Sequence, residues 1–167
     1  VGADYSQIEL RVLAHLSEDP SLIEAFNQGE DIHTSTASRV FNIPQDQVTA
    51  LQRSNAKAVN FGVIYGMSGF GLSNNLNITR KEAETYIEEY FRKYDRVRDY
   101  MAELVAKVKA DGWVSTMLGR RRPIPEINAG SYMVRQAGER LAMNSPIQGT
   151  AADIIKLAMI DVDRALR

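Results

Sequence analysis

The chain is 167 residues long and 44% hydrophobic, enough to bury a core as one domain or one lobe of something larger. With 20 Lys+Arg against 21 Asp+Glu and a net charge of −1, it has no global basic footprint, so any polyanion site must be local. Zero cysteines exclude disulfides, zinc fingers and thiol chemistry and agree with a reducing cytoplasm; no membrane span or signal pattern is evident.

Val1 to Tyr5 reads as extended and enters as though already inside a structural element, which predicts a strand stub cut from a longer chain. Helix starts follow. Ser6-Gln7-Ile8-Glu9, Thr49-Ala50-Leu51-Gln52 and Thr79-Arg80-Lys81-Glu82 each set a hydroxyl three residues before Glu or Gln, which predicts capping boxes; Thr150-Ala151-Ala152-Asp153 does so more weakly. After Thr79 an apolar stripe (Ala83, Tyr86, Ile87, Tyr90, Phe91, Tyr94) recurs at three and four. A second stripe, from Val97 to Val108, is expected to pack beside it. Asp111-Gly112 stops the helical pattern, and "WVSTMLGRRRPIPEI" predicts a short β-ribbon. Helical periodicity resumes on either side of Pro146 and Gly149, and the chain ends in mid-helix at "IDVDRALR". The expected fold is mainly α: many helices, a short β-ribbon and an N-terminal strand stub.

Within "RSNAKAVNFGVIYG" the residues Arg53, Lys57, Phe61 and Tyr65 stand at a strict spacing of four. On one helix they occupy a strip about 120° wide and about 18 Å long, cations first and rings afterwards. That order matches a nucleoside triphosphate, polyanionic at one end and flat at the other, and a helix amino end adds to the attraction for phosphate. The plainer alternative is a solvated cationic face with Phe61 and Tyr65 in the core. Gly62 and Gly66 point to close approach or a bend. In "DYSQIELR", Asp4 sits at the end of the predicted strand, where a carboxylate can fix a hard cation such as Mg²⁺ with phosphates as its other ligands, or simply occupy a turn.

Taken with "GERLAMNSPIQGTAADIIKLAM", these stretches resemble, in order and over essentially the whole chain, the bacterial DNA polymerase I family, the family A DNA-dependent DNA polymerases. The resemblance implies that Asp4 binds both of two catalytic Mg²⁺ ions, with the Tyr5 carbonyl assisting. It implies that Glu9 crowds the sugar 2′ position and bonds Tyr65, that Arg53 and Lys57 hold the triphosphate, and that Phe61 packs on sugar and base. Tyr65 would stack near the templating base, and His33 in "DIHTSTA" would contact phosphate; without the resemblance His33 reads as a surface residue. Arg140, Asn144 and Gln148 would touch the primer-template in the minor groove, where acceptors barely differ between base pairs. Arg121, within Arg120-Arg121-Arg122, would bind backbone phosphates or lie in a solvated turn.

The implied activity is DNA-directed DNA polymerisation in replication and repair, with primer-template DNA and deoxynucleoside triphosphates as partners, a monomeric state and a bacterial cytoplasmic, nucleoid-associated setting. The implied layout is a palm strand and metal motif at 1–12, fingers at 13–130 and a return to the palm at 131–167. A second metal-binding aspartate, carried in the family by a His-Asp-Glu motif, is missing from the sequence. The chain alone is therefore expected not to extend primers.

Overall fold

The computed structural model describes residues 2–167. In chain order its helices are α1 (Ile8–Ser17), α2 (Pro20–Asn27), α3 (Ile32–Val40), α4 (Ala50–Ile64), α5 (Gly69–Leu76), α6 (Arg80–Lys93) and α7 (Asp95–Asp111). Strands β1 (Trp113–Ser115) and β2 (Arg121–Pro123) precede α8 (Tyr132–Leu166), and single 3-10 turns span Gln45–Gln47 and Pro125–Asn128. The fold is mainly α with one β-ribbon, as the periodicity predicts. No helix among the described residues is long and apolar enough to cross a membrane.

Capping chemistry sets two of the central helix starts. The Thr49 hydroxyl accepts from the Gln52 amide (3.3 Å) while the Gln52 side chain accepts from the Thr49 amide (2.9 Å). Thr79 and Glu82 repeat the exchange at 3.2 and 2.9 Å. The expected box at Ser6 does not form: α1 begins after Gln7, which is left-handed at φ 55°, and no side chain caps it. Nor is there a strand at residues 2–5, and Val1 lies outside the described residues. A strand needs a ladder partner, and β1 and β2 pair with each other in antiparallel register, Trp113 opposite Pro123 and Ser115 opposite Arg121.

The region around Pro146 corrects a second expectation. α8 runs unbroken for 35 residues through both Pro146 and Gly149. A proline inside a helix costs about 3 kcal/mol, and here packing offsets it: Pro146, Ile147, Thr150 and Ala151 are all buried. Ser145 donates its hydroxyl back to the Leu141 carbonyl at 2.5 Å, and Thr150 accepts from the Met117 amide at 3.0 Å instead of starting a new helix.

Two apolar clusters hold these elements. The larger joins Leu10 and Leu13 of α1, Leu22 of α2, Ile32 of α3, Val59 and Ile64 of α4, Leu72 of α5, Tyr90 of α6, Val97 and Met101 of α7 and Ile147 of α8. The α6 stripe and the first part of the α7 stripe, Val97 and Met101, therefore meet in one core, with Tyr94 fully buried at the junction of α6 and α7. The smaller cluster seats the ribbon through Val114 and Ile124 against Leu104, Val108 and Ala142. At Gly138 a Cβ would stand 2.7 Å from the Ile127 amide nitrogen, so only glycine lets that 3-10 turn lie on α8.

Candidate functional site

The buried side of α4 is Ala56, Val59, Asn60, Gly62, Val63 and Ile64, which docks the helix into the larger core. That choice of face turns the opposite strip outward. Arg53 and Lys57 are exposed, Phe61 is half-buried and Tyr65 is 37% exposed. Tyr65 lies just past the last helical residue, its amide still bonded to the Phe61 carbonyl at 3.0 Å, so the strip extends through the C-cap. The Phe61 and Tyr65 rings are near-parallel, 19° apart with centroids 6.4 Å distant, and the Lys57 ammonium lies 6.0 Å from the Phe61 ring.

At its amino end the strip meets α3. Asp31, the N-cap of α3, takes the Arg53 Nε at 2.5 Å and Nη2 at 3.2 Å. Burial alone would raise the Asp31 carboxyl. The Arg53 and Thr34 hydrogen bonds, the Arg53 charge and the His33 amide outweigh it and bring the carboxyl to about 2. Nothing in the sequence pairs residues 31 and 53; the only available signal is an Asp in cap position before Ile32-His33. His33 is not on the surface, being only 4% exposed. Thr36 donates to the Asn60 carbonyl oxygen (3.1 Å), which leaves the Asn60 amide to donate to His33 Nδ1 (2.9 Å). His33 is thereby assigned as the Nε2–H tautomer, and burial, with Arg53 and Lys57 against Asp31, lowers its pKa. Its ring centroid stands 6.2 Å from that of Phe61.

At the other end the Tyr65 hydroxyl donates to Glu9 at 3.4 Å, tying α4 to α1. Glu9, Phe61, Asp4, Tyr5 and Gln148 line one cleft of about 380 Å³. Asp4 and Tyr5 are exposed there. The donors on offer, the Asp4 carboxylate and the Tyr5 carbonyl, are hard oxygens of the kind Mg²⁺ takes when one or two carboxylates act together with substrate phosphates. Among the described residues no three His, Cys, Asp or Glu side chains converge on one point. The donor set fits Mg²⁺ shared with a phosphate ligand, and does not fit an all-protein cage.

Arg140, Asn144 and Gln148 follow at intervals of four on α8; Arg140 is exposed, the other two half-buried. Gly66 brings this helix against the end of α4. It has φ +61°, and a Cβ there would lie 2.5 Å from Met143 Cε and 3.1 Å from Arg140 Cγ. The approach expected of the glycines is thus real at Gly66, whereas a Cβ at Gly62 would make only ordinary contacts, at 3.5 Å or more. In the ribbon, Arg120 is held by Asp153 (2.9 Å) and the Gly149 carbonyl (3.1 Å), and the Arg121 guanidinium lies 4.3 Å from the Trp113 ring centroid.

Comparison with known proteins adds an independent line. The family described as DNA polymerase family A matches residues 1–167. The chain is 58% identical over 167 residues to DNA polymerase I of Streptococcus pneumoniae serotype 4, covering 99% of this chain and 19% of that protein. It is 57% identical over 166 residues to DNA polymerase I of Geobacillus stearothermophilus, again covering 99% of this chain and 19% of the relative. A solved POL domain of Pol1 from M. smegmatis, in complex with DNA primer-template and dNTP, superposes with a TM-score of 0.92 at 52% identity, covering 98% of this chain and 29% of that one. The chain spans about a fifth of the length of the curated relatives it matches.

Proposed function

Because the chain belongs to DNA polymerase family A, we propose that it is the part of a DNA-directed DNA polymerase that receives the incoming deoxynucleoside triphosphate and the primer-template end. Residues 1–12 carry the palm metal motif, 13–130 the fingers and 131–167 the return to the palm. The observation that supports this most directly is the order Arg53, Lys57, Phe61, Tyr65 along the outward side of α4, with Arg53 held by α3, Phe61 lining the Asp4 cleft and Tyr65 bonded to Glu9 of that cleft.

In this reading Arg53 and Lys57 bind the triphosphate, with His33 beside them, and offset negative charge that grows on it as the primer 3′-hydroxyl attacks the α-phosphate and pyrophosphate leaves. Phe61 covers the sugar and base. Glu9, held by Tyr65, crowds the sugar's 2′ side and disfavours ribonucleotides, and Tyr65 stacks near the templating base. Asp4 and the Tyr5 carbonyl hold Mg²⁺, which when bound supplies charge stabilisation to the reacting oxygens. Arg140, Asn144 and Gln148 contact the minor groove of the primer-template and test pairing geometry without reading sequence. Arg121, steadied by Trp113, faces backbone phosphate. The setting is the bacterial cytoplasm and nucleoid, and the enzyme acts as a monomer in replication and repair.

The test is primer extension by the full-length polymerase that carries this chain. Lys57→Ala should depress nucleotide incorporation while leaving primer-template affinity unchanged. Normal incorporation by that variant would remove the α4 strip from nucleotide handling.

A further inference from the structure

Asp31 opens the stretch that carries His33 and has no role of its own in the proposed chemistry, yet it holds one of the central side chains of α4. Four donors converge on its carboxylate. Oδ1 receives the His33 amide at 3.1 Å and Arg53 Nη2 at 3.2 Å; Oδ2 receives the Thr34 hydroxyl at 2.8 Å and Arg53 Nε at 2.5 Å. An isolated exposed ion pair contributes little. This one is bidentate, and its anion is built into the first turn of α3, so the guanidinium plane is referenced to a rigid element 22 residues away in sequence.

Arg53 still has donors to spare. It carries five N–H groups, and among the described residues only Nε and one Nη2 proton have an acceptor, while its side chain stays 45% exposed. The Nη1 group remains open for a second anion. An arginine that grips phosphate from solution must give up several rotamers, whereas one already held has less to lose. A bare carboxylate beside a triphosphate site would repel the ligand. Here its charge is balanced by Arg53 itself and by the positive end of α3.

We infer that Asp31 is a positioning residue for the nucleotide triphosphate, fixing the Arg53 guanidinium with its free edge available to phosphate. The inference rests on the proposed role of α4 in nucleotide binding. It differs in sign from the opposite reading, in which Asp31 competes with phosphate for Arg53 and weakens nucleotide binding.

The experiment measures single-nucleotide incorporation by the full-length polymerase as wild type, Asp31→Asn, Asp31→Glu, Arg53→Ala and the Asp31→Asn/Arg53→Ala double variant. Asparagine keeps an N-cap acceptor for the His33 amide, so α3 stays capped while the ion pair is lost. Asp31→Asn should raise the nucleotide KM about three- to tenfold, with a smaller fall in kcat, because Arg53 holds the triphosphate before as well as during the reaction. Asp31→Glu should recover part of the loss. In the Arg53→Ala background Asp31→Asn should add nothing, because its effect passes through Arg53. A fall in KM for Asp31→Asn, an equal rise with Arg53 absent, or a lowered melting midpoint with KM unchanged would each overturn the inference. An unchanged nucleotide KM in Arg53→Ala would instead sink the nucleotide-binding reading of α4.

Discussion

Two helices of this protein carry aromatic rings four residues apart and put them to opposite uses. On α4, Phe61 and Tyr65 lie on the open side of the helix, Tyr65 bonded at its rim to Glu9. At the end of α6, Tyr90 and Tyr94 are 1% and 0% exposed and packed edge to face at 4.9 Å, and the Tyr90 hydroxyl has no hydrogen-bond partner among the described residues. Spacing is the same in both. What differs is the rest of each helix. α4 has Val59, Val63 and Ile64 on another face to bury, leaving its rings at the surface edge; α6 is charged or polar everywhere except its Tyr-rich stripe, so the stripe must become the core.

The largest consequence of that contrast concerns stability. Tyr90→Ala should cost about 3–5 kcal/mol in denaturant unfolding, by analogy with other buried aromatic truncations. Tyr65→Ala, at an exposed position, should cost less than about 1 kcal/mol. Comparable losses at both sites would erase the distinction between a core stripe and a binding strip. Activity should run the other way: Lys57→Ala should lower kcat/KM in the full-length enzyme by about 10²–10³-fold, the scale of one preorganised contact to developing charge. Its unfolding midpoint should not move.

Alkaline pH gives a subtler separation. Burial drives the Tyr94 hydroxyl up to about 12, and burial, reinforced by Tyr94 and Asp19, pushes Tyr90 well above the ordinary 10.0. Because both folded values lie above the unfolded one, the stability they carry is complete below pH 10.0 and is lost at higher pH, for Tyr94 as pH rises through about 12. Ultraviolet titration should therefore show late-ionising tyrosines whose ionisation coincides with unfolding, and fewer of them in Tyr90→Phe. Full tyrosinate formation near pH 10 with the fold intact would contradict the burial. Tyr90→Phe itself should change stability by less than about 1 kcal/mol, or raise it, since the hydroxyl it deletes is buried without a partner.

At acid pH the smallest effect belongs to Asp31. Its carboxyl is held at about 2 against an ordinary 3.8, so its contribution is present above pH 3.8 and lost as pH falls through about 2. The pair is partly solvated, and screening keeps the contribution small. Asp31→Asn should flatten stability over that window. An unaltered acid-unfolding profile would show that the pair is too solvated to matter for folding.

Much of this is legible in the sequence alone. Thr49 and Thr79 announced their helices because a capping box closes within four residues. The α6 and α7 stripes announce neighbouring buried faces because periodicity of three and four marks one face, although the α7 stripe divides between the two clusters. The order of cations and rings on α4 was readable for the same reason. The local signal failed where a distant surface decided the outcome. Ser6 has the box pattern but no box, residues 2–5 have strand-like composition but no ladder partner, and Pro146 lies inside a helix because buried neighbours hold it there. Without the resemblance His33 reads as a surface residue, and only its contacts with Asn60 and Phe61 make it a neutral, buried neighbour of the strip.

Chain order alone determined the helix starts at Thr49 and Thr79, the apolar faces and the succession of chemical groups along α4, since those follow from interactions spanning a turn or two of backbone. Tertiary structure decided which faces were covered, that Asp31 would grip Arg53, that Glu9 would meet Tyr65, and that Gly66 would let α8 close on α4. These are meetings between residues far apart in sequence, and they are chosen by the packing of whole helices against a common core.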